Sequence, residues 1–85
     1  MLADLAWDDV RLFLALHRAR TQGEAAQALG INPSTVSRRL VALEEALDTV
    51  LFDRGRDGLR PTQAAEALVV AAEEAEAGVL RFQQA

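Results

Sequence analysis

Thirteen residues, "TQGEAAQALGINP" from Thr21 to Pro33, contain a helix start, a helix stop and a second helix start. Thr21 followed three residues later by Glu24 is a capping box, in which hydroxyl and carboxylate each satisfy a backbone N–H that the first helical turn leaves bare. Gly30 suits the left-handed position that closes a helix. Asn32 can cap the next helix, and Pro33 fits its first position, where no backbone N–H is missed. Two helices joined at Ala28 to Asn32 must cross closely, and small residues such as Ala26 permit that approach. Val36 then supplies a core anchor six residues past the turn. The pattern is that of a helix-turn-helix, and the rest of the chain must fold around it.

Ahead of it, Val10, Phe13, Leu14 and His17 follow the i, i+3, i+4, i+7 spacing of an amphipathic helix from Trp7 to Arg18, with Leu12 and Leu16 widening the apolar face. After Pro33, the residues Val36, Leu40, Leu43 and Leu47 form one narrow apolar stripe. At 100° per residue, Ser34, Arg38, Val41 and Glu45 point the other way, with Thr35 and Ser37 on the flanks. Val50, Leu51 and Phe52 have strand propensity, Asp57-Gly58 is a short hairpin signal, and Leu59 and Arg60 can return as a second strand ended by Pro61. Thr62 can cap a last helix. There Ala65, Leu68, Ala72, Ala75, Val79 and Phe82 are spaced 3, 4, 3, 4, 3, a heptad seam over roughly 30 Å. The expected fold is mainly α: a winged helix-turn-helix over residues 1–61 with a short β-hairpin wing, then a long linker and dimerisation helix over 62–85.

Eighty-five residues bury only about 60% of their unfolded surface, so such a domain calls for a disulfide, a metal or a second copy. The chain has no cysteine and one histidine, His17, which removes disulfides and a histidine-based metal site; oligomerisation remains. No apolar run approaches the ~20 residues of a membrane span. The start of the chain carries Asp4, Asp8 and Asp9 in place of the basic flank of a signal peptide, and a cytoplasmic protein without membrane association is the default expectation.

The formal charge of −4 conceals a change of sign along the chain. All nine basic residues are arginine, and from Arg18 to Arg39 four of them meet one acid, Glu24, a local charge of +3. That positive stretch holds the start of the third helix. There Asn32, Ser34, Thr35, Ser37 and Arg38 combine short hydroxyls and amides with a guanidinium able to bind guanine with two parallel hydrogen bonds, the equipment of a helix lying in the major groove. Thr21 and Gln22, at the start of the second helix, are candidates to donate to phosphate. Arg54 and Arg56 flank a glycine on the hairpin, where they reach a DNA backbone or minor groove unless Asp53 and Asp57 claim them. Arg60 faces either DNA or its own sheet.

Other polar residues have plainer roles. His17 lies on an apolar helix face as a structural histidine, Trp7 packs the first helix's start, and Glu73, Glu74 and Glu76 form a solvated face. No nucleophile–base pair or phosphate-binding glycine loop is present, so neither catalysis nor a cofactor is expected. The rival to DNA binding is a protein-interaction module using the acidic balance and the heptad. DNA binding by several arginines weakens steeply with salt, which separates the two.

"EAAQALGINPSTVSRRLVALEEAL", followed by "LFDR" and "LRPT", resembles the N-terminal domain of LysR-type transcriptional regulators over nearly the whole chain. The resemblance implies a winged helix-turn-helix that binds promoter or operator DNA. It also implies a linker helix pairing two subunits, a tetramer in the full-length form, and an effector-sensing domain after the linker that binds the small-molecule ligand. The family's recognition-helix serine and arginine fall on Ser37 and Arg38. Pro33 stands where the family usually has glutamine, Val41 where it often has a basic residue, Gln22 where an aromatic is typical, Ala65 where glycine is usual, and Asp57 where a wing arginine usually sits. An apolar seam open to the last residues raises the expectation of a longer parent protein.

Overall fold

The computed structural model describes residues 5–85; Asp4, counted above with the acids at the start of the chain, lies outside them. The order is α1 (Trp7–Arg18), α2 (Gln22–Leu29), α3 (Pro33–Leu47), β1 (Phe52–Gly55), β2 (Gly58–Pro61) and α4 (Gln63–Gln84). Among the described residues no helix is long and apolar enough to cross a membrane.

The helix boundaries follow from caps. Thr21 Oγ1 accepts the Glu24 N–H at 3.0 Å, but Glu24 Oε2 accepts from Arg20 N at 3.1 Å, so the capping box reaches one residue past the cap. Gly30 sits at φ 68°, ψ 32°, and Ile31 N donates to Ala26 O at 3.0 Å. This closes α2 with the bond pattern that left-handed glycine allows. Asn32 Oδ1 accepts the Ser34 N–H at 2.9 Å, with Pro33 next in the first turn. At the far end of α3 the left-handed residue is Asp48, φ 51°, a position where glycine is usual and Asp tolerated.

The core is a single cluster. Leu12, Phe13, Leu14 and Leu16 of α1 meet Ala25 and Ala26 of α2, Val36, Leu40 and Leu43 of α3, Leu51 and Phe52 before and in β1, and Ala65 of α4. Ala25 and Ala26 are the small residues that let α2 cross its neighbours closely. The rings of Phe13 and Phe52 stand 5.9 Å apart at 46°, which seats the hairpin base on α1. Glu44 does more than end the polar face of α3: its Oε2 accepts from Leu51 N at 2.7 Å and Phe52 N at 3.3 Å. Thr62 N donates to Leu51 O at 2.9 Å, and Thr62 Oγ1 donates to Val50 O at 2.8 Å while accepting from Ala65 N at 3.2 Å. These bonds close the hairpin at its base and start α4 there.

Two expectations need correction. Asp57-Gly58 is not the two-residue turn. The register pairs Gly55 with Gly58 and Phe52 with Pro61, so the loop is Arg56 and Asp57, neither of which has positive φ. Gly58 instead opens β2 at φ +104°. The second correction concerns Ala65. It is fully buried in the chain's own core, so it cannot also belong to a surface seam for a partner. The buried position accounts for a small residue there.

Candidate nucleic-acid interface

The positions of α3 divide as their 100° spacing requires. Val36, Leu40 and Leu43 are buried, whereas Ser34, Arg38, Val41 and Glu45 are exposed and Thr35 and Ser37 half-buried on the flanks. The first turn is pre-arranged internally. Asn32 Oδ1 accepts from both the Ser34 N–H and the Ser34 hydroxyl, at 2.9 and 2.8 Å, and the side-chain amide N–H groups of this exposed residue have no partner among the described residues. Arg38 Nη2 donates to Thr35 Oγ1 at 3.2 Å, one turn back. A guanidinium has five N–H donors, so this tether restrains the fork and leaves most of its donors for a ligand.

Arg39 is different. Its Nη2 donates to Asp8 O at 3.0 Å, which turns it toward the start of α1 and makes it a strut. Arg18 is likewise engaged, with Nη1 and Nη2 at 2.9 and 2.8 Å from the Glu76 carboxylate. Arg11 meets Asp8 at 3.3 Å. Four arginines between Arg18 and Arg39 are therefore not four free charges: two are spent on the fold. Glu76, read from sequence as part of a solvated acidic face, is an ion-pair partner. His17 Nε2 lies 2.6 Å from Glu66 Oε1, a bond the carboxylate can only accept, which makes the histidine a link between α1 and α4.

On the wing, Arg54 and Arg56 are exposed, and among the described residues neither has a salt-bridge partner. Asp57 turns instead to Arg60, 3.8 Å away. The wing is fastened to the start of α2. Leu59 N donates to Arg20 O at 2.9 Å, and a Cβ on Gly58 would meet that same carbonyl oxygen at 2.1 Å. The start of α2 and the loop end of the wing are thus brought together. This contact was not legible in advance, because the glycine that permits it also fits an ordinary turn.

The proposed seam of α4 divides in two. Leu68, Ala72 and Ala75 line an apolar groove of about 200 Å³ with Leu5, Val10, Phe13, Leu43, Leu47 and Leu51. Val79 is half-buried, and Phe82 is 82% exposed. No group of three or more potential metal ligands occurs among the described residues.

Residues 7–66 match the sequence model of the bacterial regulatory helix-turn-helix proteins of the lysR family. The Mau operon transcriptional activator of Paracoccus denitrificans is 38% identical over 63 residues, 74% of this chain and 22% of that protein. The HTH-type transcriptional activator IlvY of Salmonella typhimurium is 38% identical over 76 residues, 89% and 25% of the two. The chain therefore spans about a quarter of the length of these relatives. The CbnR DNA-binding domain, solved as a DNA complex, superposes with a TM-score of 0.86 at 25% identity over 94% of this chain and 92% of that one. The oxidized form of OxyR from Corynebacterium glutamicum gives 0.87 at 28% identity, over 92% and 24%.

Proposed function

This chain belongs to the LysR family of bacterial regulatory helix-turn-helix proteins, and on that premise we propose that it binds double-stranded DNA sequence-specifically as the DNA-binding domain of a transcriptional regulator. The observation that carries the assignment is the face of α3. A polar, exposed set, Asn32, Ser34 and Arg38 flanked by Thr35 and Ser37, is backed by the buried side chains of Val36, Leu40 and Leu43, which fix its orientation. The resemblance to a domain solved on DNA supports it.

In this reading the first turns of α3 enter the major groove, where Arg38 and Ser37 read base edges and Asn32, Ser34 and Thr35 contact edges or phosphates. Thr21 and Gln22 contact the backbone at the start of α2, and Arg54 and Arg56 do so from the wing. Residues up to Pro61 form the reading head. Thr62 begins the linker helix, whose Leu68, Ala72, Ala75, Val79 and Phe82 are assigned to a homodimer. A tetramer, an effector bound by a further domain, and a cytoplasmic location complete the assignment for the whole regulator.

In-vitro selection from a random duplex pool tests this directly. Enrichment of a motif, with half-sites related by a two-fold, is the expected result. No enrichment, together with no binding to any duplex at low salt, would overturn it in favour of a protein-interaction module.

A further inference from the structure

We propose that Arg20, on the connection between α1 and α2, is a further DNA-contacting residue that grips phosphate in a row with Arg54 and Arg56; this rests on the DNA-binding assignment above. The first observation is how the arginines are used. Arg11, Arg18 and Arg39 are hydrogen-bonded to Asp8, Glu76 and the Asp8 carbonyl respectively, and Arg60 stands 3.8 Å from Asp57 as a looser ion pair. Arg38 is tethered to Thr35. Among the described residues, Arg20, Arg54, Arg56 and Arg81 have no side-chain partner, and Arg81 stands apart in the last turn of α4. The other three unpartnered guanidiniums belong to one locality.

That locality is defined by the backbone. In the hairpin register Leu59 pairs with Arg54, but its N–H points away from β1 and donates to Arg20 O at 2.9 Å. Arg20 therefore occupies the place of a third strand at the free edge of β2. Arg20 and Arg54 flank Leu59 from opposite sides, so their backbones are about two strand spacings, ~10 Å, apart. Gly58 leaves no room for a side chain between itself and the Arg20 carbonyl, which fixes the spacing.

The acids nearby are accounted for. Glu24 turns its carboxylate back to the Arg20 backbone N–H at 3.1 Å, and Asp57 faces Arg60 at 3.8 Å; Asp53 stands opposite Arg60 in the register, and strand alternation puts it on the other face of β1 from Arg54. Holding exposed like charges within one side chain's reach opposes folding unless an anion separates them. A row of phosphates is the anion that matches such an edge. Its contribution is independent of sequence, because phosphate contacts position the protein and do not read bases.

The test is the salt dependence of binding by the full 85-residue chain, measured by fluorescence anisotropy. Two labelled duplexes serve as probes, one recovered by selection and one a shuffled sequence of equal composition. Arg20→Ala is expected to reduce the slope of log K against log salt by about 0.9, the share of one phosphate. It should weaken both duplexes by the same factor, and Arg20→Lys should restore the slope, since a phosphate needs charge more than a fork. An unchanged slope in Arg20→Ala overturns the Arg20 assignment, while salt-dependent binding by the wild type leaves the DNA-binding assignment standing. Loss of affinity for the selected duplex alone also overturns it, because that is the signature of a base contact. Failure of the wild-type chain to bind either duplex at low salt overturns both.

Discussion

Arg18 holds Glu76 with two parallel hydrogen bonds, Nη1 to Oε2 at 2.9 Å and Nη2 to Oε1 at 2.8 Å, joining the end of α1 to the middle of α4. The adjacent His17 reaches Glu66, ten residues earlier on α4, so two neighbouring residues of α1 fasten α4 at points about 15 Å apart. A helix held at two points has a fixed direction. In a dimer built on α4, that direction would set where each reading head lies on the DNA.

The Arg18 pin predicts a specific acid sensitivity. Its hydrogen bond holds the Glu76 carboxyl below the ordinary carboxylate value, and in return Glu76 raises Arg18 above its own against the opposing effect of desolvation. A carboxyl depressed on folding stabilises above its unfolded value, and that stability is lost as pH falls through the folded value. Arg18 stays charged throughout this window. Melts of the wild type and Glu76→Gln between about pH 7 and pH 3 should therefore differ at neutral pH, wild type higher, and converge in acid. Added salt should narrow the neutral gap, because the pair faces solvent. A gap that does not change with pH would mean that Glu76 acts through packing and not charge.

Two glycines with positive φ should respond differently to alanine. Gly30, at φ +68°, has nothing within 4 Å of an added Cβ, whereas at Gly58, φ +104°, the Cβ would meet Arg20 O at 2.1 Å. Gly30→Ala should cost only the left-handed penalty of about 1–2 kcal/mol. Gly58→Ala should cost more, since the wing must also move off the α1–α2 connection and stretch the Leu59–Arg20 bond. Chemical denaturation of both variants measures the difference; equal losses would mean that the wing is not fastened at Arg20.

Gly58 also shows what sequence patterns can and cannot convey. Caps and periodicity are local, so Thr21, Gly30, Asn32 and Thr62 announced their helices, and the Val36, Leu40, Leu43 stripe announced which face of α3 remained exposed. Pairing partners are not local. That Arg18 and Arg39 serve the fold depends on Glu76 and on the Asp8 carbonyl, which lie far away in sequence. Their charge was countable in advance, but its use was not. The same holds for Ala65, whose heptad spacing is shared by a helix packed on its own domain and one packed on a partner. Arg20 precedes the capping box of Thr21 and Glu24, a motif that concerns backbone N–H groups and not the arginine side chain; only the bond to Leu59 places Arg20 beside the wing.

Arg38 is the residue on which base reading should depend most. Thr35 restrains its fork from one side at 3.2 Å, so the remaining donors are presented in a limited set of directions. Arg38→Ala should cost ~1–3 kcal/mol on the selected duplex and relax preference at one base pair. Arg38→Lys should keep the phosphate attraction but not the two-bond match to guanine. Competition against duplexes substituted one base pair at a time reads both effects. Discrimination by Arg38→Ala equal to wild type at every position would move recognition elsewhere on α3.

The dimer assigned to α4 is best probed where the helix has left its own core. Glu at Leu68 or Ala72 would confound two effects, because both line the groove formed with α1 and α3. Phe82 is 82% exposed and Leu80 50%, well beyond Val69 and Ala72, the part of α4 that packs on the core. A phenylalanine buried by a partner contributes about 1.5–3 kcal/mol, and two-fold symmetry counts it twice. Phe82→Glu should then raise the dimer Kd by about 10²–10⁴-fold while leaving the helical content of the monomer intact. Sedimentation across a concentration series gives the first quantity and circular dichroism the second. A dimer as tight as wild type would place the contact on the Leu68 side of α4, against the groove.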